Sequence, residues 1–121
     1  MSEEKAYDIK IRAYRFSKAI INLISKTKFE RLYFSIVDQL LRSATSIGAN
    51  VVEAKAGSSR KDFRNFYTIA LKSANETKYW LCLIRDTEVI EVDREIVKEL
   101  LREVDEISKI IASIIININK E

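Results

Sequence analysis

From Ser46 to Leu81 the chain reads SIGANVVEAKAGSSRKDFRNFYTIALKSANETKYWL, two apolar stripes at helical spacing interrupted once, at Ala56-Gly57-Ser58-Ser59. The interruption supplies a glycine to end one helix and a serine to cap the next, with Asp62 following in the new helix's first turn. Two long helices joined so tightly turn back on one another, and the stretch predicts an antiparallel helical pair. Within it, Asn50, Glu53, Ser73 and Glu76 fall on or beside the stripes, abutting Ile47, Ile69, Trp80 and Leu83. A polar group so placed is costly to bury without a partner. The pattern therefore predicts side-chain hydrogen bonds between the second and third helices that set their register.

The same periodicity extends in both directions. With no proline and only Gly48 and Gly57 as glycines, long helices meet no obstacle. Helices are expected near 3–26, 31–55, 60–86 and 94–118. The break around Thr27 to Glu30 is weakly signalled, whereas Asp93 offers an N-cap, with Val92 and Val97 spaced to close across it. A chain of 121 residues, 47% hydrophobic, has enough apolar material for one core and too little length for two domains. The expected fold is all-α: a single domain over 1–121, an antiparallel up-down-up-down four-helix bundle.

Both terminal helices carry more apolar surface than one bundle face needs. The fourth has a heptad seam of Val97, Leu100, Val104, Ile107, Ile111, Ile114 and Ile118, with Leu101, Ile110, Ile115 and Ile116 beyond it. The first sets Ile9, Ala13, Phe16, Ile20, Leu23 and Ile24 on one face and Tyr7, Ile11, Tyr14 and Ile21 on another. These surpluses point to a homo-oligomer with interface candidates Tyr7, Ile11, Tyr14, Ile21, Ile110, Ile115 and Ile116. For the first helix, a wide core stripe with tyrosine hydroxyls at its wet edge is an equal reading. A strand over 110–118 would suit isoleucine but shows no alternation and has no partner.

Several chemistries fall away on composition. There is no histidine, and Cys82 is the only cysteine, which removes an intramolecular disulfide, the usual zinc sites and histidine acid–base work. Glu53 and Glu76 could be imagined as paired carboxylates, but carboxylate-bridged di-iron bundles use Glu-x-x-His, and no loop has the acidic density of a calcium site. No catalytic residue, cofactor or metal is expected. Asp38 and Arg42, four apart, read as a surface pair. Phe63, Phe66, Tyr67, Tyr79 and Trp80 read as core or subunit interface rather than a base-stacking platform. Ser43, Ala44, Ser46, Gly48 and Ala49 allow close helix approach. The charged start SEEKAYDIKIRAYR lacks a signal peptide's apolar segment, and 110–118 is far shorter than the roughly 20 residues that span a bilayer. A cytoplasmic protein without a membrane partner is the expectation.

The formal net charge is only +3, but the four successive segments 1–28, 29–57, 58–87 and 88–121 carry +4, 0, +3 and −4. Candidates for contact with RNA or DNA are Lys5, Arg12, Arg15 and Lys26 on the first helix and Arg60, Lys61 and Arg64 at the start of the third. There the helix N-terminus adds its own partial positive charge. Repetition around an oligomer would multiply a modest charge into a strong field.

Ser46-Ile47-Gly48-Ala49-Asn50-Val51-Val52-Glu53-Ala54, Ser59-Arg60-Lys61-Asp62-Phe63, Ala70-Leu71-Lys72 and Glu76-Thr77-Lys78-Tyr79-Trp80-Leu81 together resemble the four-helix-bundle proteins encoded in intervening sequences of bacterial large-subunit ribosomal RNA genes. The match is ungapped over the second and third helices, while the outer two agree in length and periodicity. Gly57 and Ser73 depart from the arginine and glutamate that some members carry. The resemblance implies the bundle fold and a ring-like homopentamer without an assigned reaction. The accessory protein of diversity-generating retroelements, a basic pentamer that partners a reverse transcriptase, looks like a relative. A non-enzymatic nucleic-acid-associated scaffold is the expected function, with a protein-interaction adaptor, such as a reverse-transcriptase accessory protein, as the alternative.

Overall fold

The computed structural model describes residues 3–57 and 59–120, with side chains from Ile9 onward. Four helices, α1 (Glu3–Lys26), α2 (Phe34–Ala56), α3 (Arg60–Asp86) and α4 (Arg94–Lys120), form a bundle. The most extensive packing is between α2 and α3, followed by α3 with α4, α1 with α2, and α1 with α4, which closes the circuit. The apolar spacing explains this arrangement. Ile9, Ala13, Phe16, Ile20 and Leu23 recur at three and four residues, and all are buried. On α4 the heptad from Val97 through Ile114 is buried, and Ile118 packs half-buried against the same core.

The helix ends follow local chemistry. Ser59 Oγ accepts from Asp62 N at 3.1 Å, starting α3. Asp93 Oδ1 accepts from Glu95 N at 3.1 Å and Ile96 N at 3.2 Å, starting α4, with Val92 half-buried and Val97 buried beside it. Gly57 ends α2 with an extended backbone (φ −63°, ψ 142°) and donates its N–H to Ala54 O at 3.2 Å. A Cβ there would be tightly placed, 3.2 Å from Ala54 O and 3.3 Å from Asp62 Cβ.

The first connection departs from the expectation. Residues Arg31–Tyr33 form one 3₁₀ turn, so α2 begins at Phe34 rather than near 31. Lys28–Phe29 (β1) pairs antiparallel with Ile90–Glu91 (β2), Lys28 opposite Glu91 and Phe29 opposite Ile90. A two-residue ladder is too short for alternation to announce it in sequence. It ties the α1–α2 and α3–α4 connections together at one end of the bundle, where the buried Ile90 joins the core.

Two seams set the helix approach. At the α1–α2 crossing, a Cβ placed on Gly48 would lie 3.6 Å from Ala13 atoms, ordinary contact distance. The α2–α3 seam is lined by hydroxyls. Among the described residues, no helix is long and apolar enough to cross a membrane.

Candidate functional site

The polar seam is the most ordered feature between α2 and α3, but its membership differs from the expectation. Ser46 Oγ lies 2.9 Å from Ser73 Oγ, and Asn50 Nδ2 donates to Ser46 Oγ at 2.9 Å and to Ser46 O at 2.8 Å. One helical turn along, Thr77 Oγ1 lies 3.0 Å from Ser43 Oγ and donates to Ser73 O at 2.7 Å. Asn50 and Ser73 thus belong to an inter-helix network, and Ser43, Ser46 and Thr77 complete it.

Glu53 and Glu76 do not join it. Glu53 is exposed, and Glu76 accepts from Trp80 Nε1 at 3.3 Å on its own helix, at the surface. A long carboxylate side chain beside an apolar stripe reaches water, whereas a serine or threonine hydroxyl cannot reach past the helix it faces. The discoverable signal was the pairing of short hydroxyl residues, Ser43 and Ser46 on one stripe with Ser73 and Thr77 on the other. Neither glutamate lines the groove described below. Among the described residues, no three Cys, Asp or Glu side chains gather as a metal site would require.

The basic candidates separate into groups. Arg12 forms a two-pronged pair with Glu103, Nε to Oε2 at 3.0 Å and Nη2 to Oε1 at 2.6 Å, joining α1 to α4. Its guanidinium is therefore engaged in the fold. Lys26 is exposed in the last turn of α1, at the far end of a helix length of about 34 Å from the start of α3, so the structure does not bring it to Arg60. Lys5 and Tyr7 lie outside the residues whose side chains are described. Arg60, Lys61 and Arg64 are exposed in the opening turns of α3. They share that end of the bundle with Lys55 in the last turn of α2 and Lys120 in the last turn of α4. Elsewhere the acidic α4 is partly neutralised from within: Asp105 meets Lys78 at 3.1 Å and Lys109 at 3.2 Å, and those two ammonium groups hold its carboxyl below the usual range.

The apolar candidates also divide. Ile110 is buried within the subunit and Ile115 packs half-buried on its core, so most of the α4 surplus is absorbed internally because α4 packs against both α3 and α1. Ile116 stays 53% exposed. On α1, Tyr14 and Ile21 are 64% and 50% exposed, one heptad apart. Tyr14 and Ile11 line a groove of about 580 Å³ between α1 and α2, together with Lys10, Arg15, Lys18, Gly48, Ala49 and Val52. A second exposed strip runs along α3 through Ile69, Tyr79 and Leu83, with the Tyr79 and Trp80 rings edge to face at 5.0 Å. Of the aromatics read as core, Tyr67 is fully buried and Phe63 and Phe66 partly so, while Tyr79 faces solvent.

The class the fold defines is that of all-α four-helix bundles. The sequence model of the 23S rRNA-intervening sequence proteins matches residues 5–113, and the chain belongs to that family. Among solved structures it is similar to a protein of unknown function from the S23 ribosomal protein family of Bacteroides thetaiotaomicron VPI-5482, determined at 1.70 Å. The two are 40% identical, with a TM-score of 0.78 over 92% of this chain and 97% of that one. No curated protein matches.

Proposed function

We propose that this chain is a non-enzymatic scaffold of the cytoplasm that self-associates, as a pentamer, and binds nucleic acid through basic surfaces. The observation that carries the reading is the gathering of Lys55, Arg60, Lys61, Arg64 and Lys120 at one end of the bundle, with α3's N-terminus in their midst. A helix start adds N–H donors and partial positive charge to those cations, which suits phosphate. In a ring whose axis runs parallel to the bundles, every copy would present that end on the same rim, converting a formal charge of +3 per chain into a continuous cationic band. Contacts of this kind position a polyanion without reading its sequence.

The test is retention of labelled structured RNA and duplex DNA over a salt series, with mass followed by light scattering in the same buffers. Replacing Arg60, Lys61 and Arg64 together by glutamine should weaken binding and flatten its salt dependence while leaving the mass unchanged. Unchanged affinity would overturn the assignment of this surface. A protein-adaptor reading, with a reverse transcriptase as one such partner, has its own support. At the opposite end of the bundle, Leu32, Phe34 and Val89 are exposed, 76% for Leu32, and an apolar patch there suits a protein rather than a polyanion.

A further inference from the structure

The groove of about 580 Å³ between α1 and α2 has two walls that differ in kind. The α1 wall carries Lys10, Tyr14 and Lys18 at four-residue spacing, one line along the helix, with Arg15 beside it. The α2 wall is uncharged, with Gly48 and Ala49 at its deepest part and Val52 above them. No carboxylate lines the groove, and among the described residues none of Lys10, Arg15 and Lys18 has an ion-pair partner. Lys18 Nζ lies instead 5.9 Å from the centre of the Tyr14 ring. The two aliphatic hydroxyls of the lining donate to their own helices, Ser17 Oγ to Ala13 O at 3.1 Å and Thr45 Oγ1 to Leu41 O at 2.9 Å.

Such a lining suits one kind of occupant. With its aliphatic hydroxyls turned to their own backbones, it offers little to base edges or to an extended peptide backbone, whereas a helix arrives with its backbone hydrogen bonds already made and needs apolar contact. The length fits as well. From Lys10 to the exposed Ile21, which continues the same line on α1, the helix rises about 16 Å, or three turns. Gly48 and Ala49 leave depth for a leucine or aromatic side chain. Cations along one wall only call for carboxylates along one flank of the incoming apolar stripe. We infer that the α1/α2 groove receives an acidic amphipathic helix of a partner protein, its large apolar side chains seated over Gly48 and Ala49 and its carboxylates set against Lys10, Arg15 and Lys18. The inference goes beyond the nucleic-acid reading above and stands apart from it, since these cations are not those at the start of α3. A second copy of this chain matches the pattern poorly. Its exposed α3 strip of Ile69, Tyr79 and Leu83 has the exposed Lys72 within it, which would set a cation against cations.

The test titrates the full chain, by calorimetry, with a synthetic peptide of about 18 residues, long enough to hold a helix, that has leucines at heptad a and d positions and glutamates along one flank. One control peptide has lysine for every glutamate, and a second has the same composition shuffled so that the stripe is broken. The wild type should bind the glutamate peptide saturably, with a Kd of about 10–100 μM, and neither control. Lys10→Glu with Lys18→Glu, both exposed positions, should weaken the glutamate peptide at least about tenfold and admit the lysine peptide. Ala49→Phe, which fills the groove from an exposed position, should abolish binding while circular dichroism and light-scattering mass stay as in the wild type. Replacing Arg60, Lys61 and Arg64 by glutamine should leave peptide binding intact whatever it does to RNA retention, which keeps the failure of one reading distinct from the failure of the other. No saturable binding by about 1 mM, or equal binding of the shuffled peptide, overturns the inference. So does a fall in mass with Ala49→Phe, which would put a second copy in the groove. Loss of RNA retention in the Lys10 and Lys18 variant with peptide binding unchanged also overturns it, by giving the groove to a polyanion.

Discussion

Replacing Thr77 by valine and Ser43 by alanine, singly and together, measures the hydroxyl seam that joins α2 to α3. Both residues are buried, Thr77 completely. Thr77 has one hydroxyl proton and two acceptors within reach, Ser73 O at 2.7 Å and Ser43 Oγ at 3.0 Å, and divides its donation between them. Ser43 donates its own proton to Leu40 O at 3.2 Å. Neither single substitution therefore leaves a buried donor stranded, and each should cost about 1 kcal/mol, the net worth of a neutral hydrogen bond, rather than the larger penalty of an orphaned group. In the double variant the contact is lost only once, and two methyl-bearing side chains meet across the seam. Its cost should be about 1–1.5 kcal/mol, leaving a coupling of about 0.5–1 kcal/mol. Urea unfolding at one fixed protein concentration reads these differences, with each kcal/mol appearing in melts as roughly 3–5 °C for a chain of this size. Strict additivity of the two single effects would show that the hydroxyls do not interact and that the seam is held by shape alone.

Other perturbations follow from single positions. Gly48→Ala should stabilise the fold by up to about 1 kcal/mol in thermal melts, because helix propensity favours alanine and the added Cβ meets Ala13 at an ordinary 3.6 Å; a loss of stability would show the crossing to be tighter than this. Tyr67 is buried with no hydrogen-bond partner for its hydroxyl among the described residues, and burial pushes its pKa up to about 12 from 10.0. Tyr67→Phe should therefore be neutral or stabilising by about 1 kcal/mol at pH 7. It should also soften alkaline unfolding, since the raised pKa means a contribution intact below pH 10.0 and lost as pH rises toward 12. Destabilisation at pH 7 would reveal a partner. The depressed Asp105 works in the opposite sense, contributing above its ordinary value of 3.8 and losing that contribution as pH falls through the folded value. Asp105→Asn should lower the melting temperature slightly at pH 7 and match the wild type near pH 2, and a gap that widens in acid would contradict the Lys78 and Lys109 pairing.

Sequence alone determined the four helices, because a core stripe repeats every three or four residues whatever the neighbour, as from Ile9 to Leu23 and from Val97 to Ile114. Capping is equally local, and the side chains of Ser59 and Asp93 do at the helix starts what their positions imply. The two-residue ladder between Phe29 and Ile90 was not legible, since pairing partners 61 positions apart leave no periodic trace. The outward residues were the least legible of all. Whether Ile110 is interface or core depends on how many helices α4 touches, and tertiary packing put it inside. Whether Arg12 is free for phosphate depends on what α4 places opposite, and packing supplied Glu103. Glu53 and Glu76 looked like seam residues on a helical wheel, yet their length lets them leave the seam that Ser43, Ser46, Ser73 and Thr77 occupy. Periodicity specifies which side of a helix is apolar; only the packed bundle specifies how much of that side remains for another molecule.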